Sequence, residues 1–348
     1  MLSDRVENKW IEAFFELFVR CGVRPGDSAA ILSETGSRPV NVHLAELALL
    51  RLGGKPFHLI LPTARNPHPV PVRSTGASEA VSGSRPVIEA CKAAGFVVDL
   101  TIEGLMHAPE TAEILKSGAR IQVISNEHPE ALERFRPDDA LESKVRAAAK
   151  RLRGTHLMRV TSAAGSDLRA RMEGASTVGV WGWTDRPGTL AHWPGGIVVS
   201  FPKAGSVDGT LVLAPGDINL TFKRYVESPV RLTLEADYVT AVEGSGPDAM
   251  MMRRYLEAWG DREAYAVSHV GFGLNDRARY EALAMYDRRD TNGTELRAVA
   301  GNFLFSTGAN EFAGRHTAGH FDLPMMGTTI ALDGEVVIRE GVVQDVFG

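Results

Sequence analysis

The chain reads as two regions of different texture: an α/β N-terminal open parallel-sheet domain, then a mainly antiparallel β (α+β) C-terminal domain. Three observations predict this. Through residue 153, apolar strand-like runs alternate with amphipathic helical stretches, the pattern of strand, crossover helix and parallel strand. Beyond residue 154 the sequence turns to short β-branched runs separated by Gly, Pro and Asp, which argues antiparallel sheet. A chain of 348 residues also exceeds the usual size of one domain. The predicted units are 1–153 and 154–348.

The elements follow in order. From Asp4 to Cys21, Val6, Trp10, Ile11, Phe14, Phe15 and Phe18 form one helical stripe that ends at Gly22. A strand at Ser28 to Leu32 precedes a helix at Val40 to Leu52, and a strand at Pro56 to Leu61 precedes a helix at Pro86 to Ala94. Next come a strand at Phe96 to Leu100, a helix at Glu110 to Lys116, a strand at Arg120 to Ile124 and a charged helix at Pro137 to Arg153. Between Ala64 and Arg85 lies a Pro-, Ser- and Gly-rich stretch, long enough for a functional loop or a flexible excursion. In the second half the strands are Leu157 to Thr161, Ile197 to Phe201, Thr210 to Leu213, Val230 to Leu234, Tyr238 to Val242 and Tyr265 to Val270. One helix interrupts them at Pro247 to Trp259, where Met250, Met251, Tyr255, Leu256 and Trp259 make a core stripe.

Composition narrows the partners. Acidic residues outnumber Lys and Arg, for a formal net charge of −5, and the basic residues are scattered, which argues against nucleic acid. No apolar run is long enough to span a bilayer, and the N-terminus lacks the pattern of a signal peptide, so no membrane association is expected. Cys21 and Cys91 sit in apolar helical patterns, which reads as a reduced interior and a cytoplasmic setting. A small-molecule substrate is the expected partner.

Several signatures are missing: no G-x-G-x-x-G after the first strand, no Walker A sequence, no H-E-x-x-H and no G-x-S-x-G. What remains is histidine chemistry. Of ten histidines, His43, His58, His68, His128, His156 and His316 sit in surface-like or helical contexts, whereas His107, His192, His269 and His320 lie beside unusual clusters. In His320-Phe321-Asp322 on an extended segment, alternation puts the imidazole and the carboxylate on one face, where both can grip one ion. His269, at the start of the bend Gly271-Phe272-Gly273, is the candidate third ligand. Two imidazoles and a carboxylate form the facial triad of non-haem Fe(II) oxygenases, open on one side to O2 and substrate. With a dication bound, the set carries a net charge of +1.

Four motifs in order, His192-Trp193-Pro194, Ser268 to Leu274, Asn302 to Gly308 and His320-Phe321-Asp322, resemble those of the 2,5-dihydroxypyridine 5,6-dioxygenases. The likeness runs over nearly the whole chain, including Met106 to Glu110 and Ile114 to Gly118. It implies a fold like that of the thermophilic metallo-aminopeptidases, and Fe(2+) held by His269, His320 and Asp322 in the second unit. It also implies His107 and Ser306 beside the substrate; an imidazole titrates near neutral pH, which makes His107 the candidate acid/base. His192 is expected to line the pocket, and that pocket is expected between the two units because His107 belongs to the first and the ligands to the second. The implied reaction cleaves a hydroxylated ring with O2, turning 2,5-dihydroxypyridine into N-formylmaleamate, in a homo-oligomer, as a hexamer.

The alternatives are a two-metal aminopeptidase or hydrolase, and a metal-free binding protein on the same fold. Against the hydrolase, the peptidases' glutamate before a G-x-G bend is His269 here, their strand histidine is Leu304, and Pro194-Gly195-Gly196-Ile197 carries no carboxylate. One departure touches the substrate. Val180 stands where the family has an acid ahead of the aromatic-Gly-aromatic segment Trp181-Gly182-Trp183, so a ring other than 2,5-dihydroxypyridine is a second expectation.

Overall fold

The computed structural model describes residues 5–65 and 77–347; within the Pro-rich stretch, residues 66–76, and His68 with them, lie outside the described residues. The first half is an open parallel sheet. Its strands lie side by side in the order Lys55–Leu61, Ser28–Glu34, Phe96–Leu100, Arg120–Ile124, Leu190–Trp193, all parallel. Alternation splits each strand between two helical layers. Ala29, Ile31, Phe96 and Val98 pack under the helices Asn8–Arg20 and Pro39–Arg51, while Ala30, Leu32, Val97 and Ile121 meet the helix Arg85–Ala94. Sheet strands buried on both faces read as continuous apolar runs, which is why the sequence revealed them. The helix Asp139–Arg153 starts at Asp138, whose carboxylate accepts from the N–H groups of Ala140 (2.9 Å) and Leu141 (3.3 Å).

The fifth strand of this sheet was not read from the sequence. It comes from beyond residue 153, at Leu190–Trp193, and is anchored by Trp193, whose Nε1 donates to Phe135 O (2.6 Å) and whose ring meets Phe14 edge-on at 5.2 Å. Cys21 and Cys91 are both buried and free.

The second half holds two large antiparallel sheets packed face to face and a two-stranded ribbon pairing Ile218–Asn219 with Arg224–Tyr225. One has five strands in the order Arg315–Met325, Phe303–Asn310, Val267–Gly273, Ile197–Phe201, Ser176–Val180. The other has eight, and buries Met158, Val160, Leu168, Leu211, Leu232 and Ile330 against the first. The strands Asp167–Arg171 and Ser176–Val180 were also not read, being short and only half apolar. The helix Pro247–Ala258 corrects the predicted stripe: Met252, Tyr255 and Leu256 are buried, but Met250 is 43% exposed. No helix among the described residues is long and apolar enough to cross a membrane.

Candidate metal centre

The five-stranded sheet presents its two sides to different worlds. Val270, Phe272, Phe303, Phe305, Phe321 and Leu323 point into the core between the sheets. With a period of two, the intervening side chains, His269, Ser306, His320 and Asp322, point away from it. A register irregularity between Val267 and Val270 adjusts the phase of the His269 strand, because both valines are core-facing although three residues apart. Pairing aligns Ser306 with Asp322 and Gly308 with His320. Gly308 has φ +122°, and a Cβ there would lie 2.2 Å from Gly319 O, so the strand can close beside His320 only with glycine.

His269, His320 and Asp322 each offer one donor atom within 4.8 Å of the others. His320 Nε2 is 3.1 Å from Asp322 Oδ2, and His269 Nε2 is 3.7 Å from Asp322 Oδ1. Ligands at right angles around an ion with bonds near 2.1 Å are roughly 3 Å apart, so these three side chains are close enough to share one cation. Two buried polar atoms here, Asp322 Oδ1 and His269 Nδ1, have no hydrogen-bond partner. Such orphans are costly unless something else satisfies them. The charge states suit ligation. Burial, only partly offset by Asp322, pushes His269 down to about 3, leaving a neutral imidazole. Burial alone would raise the Asp322 carboxyl, but Arg297, His320 and His269 outweigh it and hold it well below its usual range. The donors and their protonation fit one divalent ion.

Arg297 is a residue of this centre that sequence reasoning missed. Its Nε donates to Asp322 Oδ2 at 2.6 Å, and both partners are nearly buried. The ion-pair geometry leaves Oδ1 as the free carboxylate oxygen. Arg297 also adds a positive charge, so the centre with a dication would carry +2 rather than the +1 read from the ligands alone. The only local hint was one cation in the apolar run Leu296 to Ala300.

The first half places that arginine. Glu127, just past the strand Arg120–Ile124, accepts from the backbone N–H groups of Asn292, Gly293 and Thr294 at 2.8 to 3.1 Å, at the start of the short helix Thr294–Ala298. Asn302 ties the same helix to the His269 strand, donating to Leu296 O and Arg297 O and accepting from Gly273 N–H. Tyr255 fastens the other ligand strand: its hydroxyl donates to His320 O (2.5 Å) and accepts from His320 N–H (3.1 Å).

His107 reaches the cluster from the first half, on the loop after Phe96–Leu100. Its ring lies 5.9 Å from that of His320, and its Nδ1 is 3.3 Å from Glu311 Oε1. Burial would raise the Glu311 carboxyl, but its hydrogen bond and electrostatic attraction to His107 keep it below its usual range. Glu311 sits in the turn between the strand Phe303–Asn310 and the ligand strand Arg315–Met325, and was not singled out from the sequence. Ser306 is fully buried, with Oγ 3.4 Å from His320 Nε2. His192 is buried and donates from Nδ1 to Pro194 O at 2.7 Å, so its neutral form keeps the lone pair on Nε2. Burial, then Arg297, pushes it down to about 4.

Val180 is on a different row. It pairs with Ile197, which pairs with Gly273, whereas the row of His269 crosses Phe201 and Ser176, four residues or about 13 Å along the strands. Leu304, in place of a peptidase histidine, is buried with Ile197 and Ala298 in a small apolar cluster. Trp183 is core and Trp181 is partly buried. Of the remaining histidines, His58 and His156 face Glu46 and Glu173 at the surface, and His128 accepts from Glu130 N–H at a helix start.

Against known proteins, the family model described as 2,5-dihydroxypyridine 5,6-dioxygenase matches residues 9–345. A Pseudomonas putida KT2440 protein named 2,5-dihydroxypyridine 5,6-dioxygenase is 36% identical over 341 residues, covering 97% of this chain and 96% of that protein. The solved structure of 2,5-dihydroxypyridine dioxygenase from the same organism superposes with a TM-score of 0.91 at 35% identity, over 98% of this chain and 99% of the other. AmpT from Thermus thermophilus superposes with a TM-score of 0.59 at 14% identity, over 96% and 99%, a likeness of fold alone.

Proposed function

The chain belongs to the 2,5-dihydroxypyridine 5,6-dioxygenase family, and on that premise we propose that it is a ferrous ring-cleaving dioxygenase with His269, His320 and Asp322 as ligands. The substrate is 2,5-dihydroxypyridine or a closely related hydroxylated ring. Cleavage between ring carbons five and six, with both atoms of O2 retained, gives N-formylmaleamate from the parent compound. The observation that carries this reading is the convergence of two imidazoles and a carboxylate on one buried point, with Asp322 Oδ1 lacking any other partner.

A ferrous ion held by His269, His320 and Asp322 would supply the Lewis acidity and redox chemistry that let an electron-rich hydroxylated ring react with O2. The protein's own groups do the rest. Arg297 fixes Asp322 by one oxygen and adds a positive charge that favours the deprotonated ring hydroxyl. His107 takes that proton: a carboxylate at Nδ1 can only accept, so the ring donates there and Nε2 is the basic nitrogen. Proton return later in the reaction uses the same atom. Ser306 offers a hydroxyl beside His320, and His192 a lone pair on Nε2 as a pocket wall. Phe201, whose ring lies 5.5 Å from that of His269 and 5.2 Å from that of Phe312, helps exclude water.

Anaerobically purified protein should hold about one iron per chain, and 2,5-dihydroxypyridine should drive oxygen uptake. Two zinc or cobalt ions with peptidase activity would instead establish the hydrolase, against which the apolar packing of Leu304 argues. Neither metal nor oxygen uptake would leave a binding protein. His107→Ala should keep its iron while kcat falls by about 10²–10⁴; an unchanged kcat removes the acid/base role. The units 1–153 and 154–348, with Leu190–Trp193 returning to the first sheet, and a hexameric assembly complete the proposal, the latter checked by light scattering.

A further inference from the structure

A second cavity, of about 620 Å³, opens at the carboxyl ends of the parallel strands. Gly36, Thr63, Ile102 and Asn126, which line it, each follow a different strand of that sheet. The chain leaves Ser28–Glu34 for the strand on one side and then crosses to the other, so the crevice is a topological switch point, where open α/β sheets bind ligands. Gly36 lets the chain pack closely against Thr63 and Ile102 at the wall of the crevice. A Cβ there would lie 2.8 Å from both Ile102 Cδ1 and Thr63 Oγ1, and its own N–H donates to that hydroxyl at 2.8 Å.

The opposite wall is cationic. Lys223, Arg288 and Arg289 line the cavity, which has no carboxylate among the described residues of its lining. Neither arginine has an ion-pair partner among the described residues. An adjoining cavity of about 480 Å³ shares Gly36, Asn126 and Arg289; it contains Asp287 and Asp290, the latter paired with Arg38 at 2.7 Å. Guanidinium groups grip carboxylates by parallel hydrogen bonds, and Arg288 and Arg289 together match two carboxylates rather than one. Asn126, Thr221 and Thr291 add neutral hydrogen-bonding groups, and Ile102 and Phe222 an apolar surface for a carbon skeleton.

We propose that this cavity binds a small organic dicarboxylate, at a site separate from the metal centre. It adjoins that centre through the segment of Leu220, whose N–H donates to Asp322 O (3.2 Å), and of Phe222, whose ring meets that of Phe321, between two of the ligands, at 6.3 Å, and through Thr291 and Asn292, which lead into the helix that carries Arg297.

Calorimetric titration of the iron-loaded enzyme with maleate tests this. Saturable binding is expected, retained in the His320→Ala variant and weakened about tenfold or more in Arg288→Gln/Arg289→Gln. The double variant should keep its basal oxygen uptake, which shows that it is folded. No saturable binding, or the same affinity in the double variant, overturns the proposal. Loss of binding in His320→Ala would mean that maleate sits on the metal. Equal binding of inorganic phosphate would overturn the dicarboxylate class, and a change of assembly without a change in affinity would make these arginines a subunit contact.

Discussion

The two faces of the five-stranded sheet are made by the same strands and are buried to nearly the same degree, yet they do opposite things. On one face Phe303, Phe305 and Phe321 are at most 1% exposed and meet only apolar neighbours. On the other, Asp322 and His269 are at 2% and 8%, and each leaves a polar atom unmatched. Burial alone therefore does not separate scaffold from site; the supply of partners does. Dispersion and exclusion of water stabilise the first face. The second stores an unmet demand that an ion can satisfy.

The comparison breaks most severely at Asp322. Asp322→Ala should lose iron and lower turnover by more than the 10–100-fold typical of outer-shell partners, and the abandoned Arg297 should cost roughly 3–5 kcal/mol of stability. Full iron content by metal analysis would refute it. On the opposite face, Phe305→Ala should cost about 3–5 kcal/mol by denaturant unfolding while the folded fraction still binds iron. Iron lost in proportion to stability would mean the faces are not separable.

A smaller effect concerns pH. His192 titrates near 4 when folded, against 6.5 for the free side chain, so between those values the unfolded chain carries the extra proton. The stability this group contributes is complete above pH 6.5 and lost as pH falls toward 4, by about 3 kcal/mol. Asp99 and Asp217, raised by burial to about 6, act in the opposite sense, losing their contribution as pH rises through 6. Comparing His192→Gln with the parent isolates the histidine: the variant should lose less stability between pH 6.5 and 4, and parallel curves would refute the assignment. Smallest, Glu311→Gln should keep iron and lower kcat by about 10–100-fold with little change in KM. A change in KM alone would make Glu311 a binding group.

Some parts of the molecule were open to sequence reading and others were not. The inner parallel strands Ser28–Glu34, Phe96–Leu100 and Arg120–Ile124 were legible because burial on both sides leaves continuous apolar runs. Leu190–Trp193 was not, because a four-residue strand carries no period of its own and its place is decided by the exposed edge it covers. Met250 was taken as core since the stripe gives spacing, whereas the rotation of the helix on the sheets selected Met252. Position 180 was a candidate substrate contact; pairing register puts it rows away from His269.

By itself the sequence determined which side chains share a face. His320 and Asp322 point the same way because alternation is a property of the extended backbone, whatever surrounds it. Only the tertiary structure decided what they meet. His269 arrives from a neighbouring strand, Arg297 from a helix held by Glu127, and His107 from the other half of the chain with Glu311 behind it. Those meetings depend on which surfaces remain to be covered once the sheets have paired, and no local period encodes that.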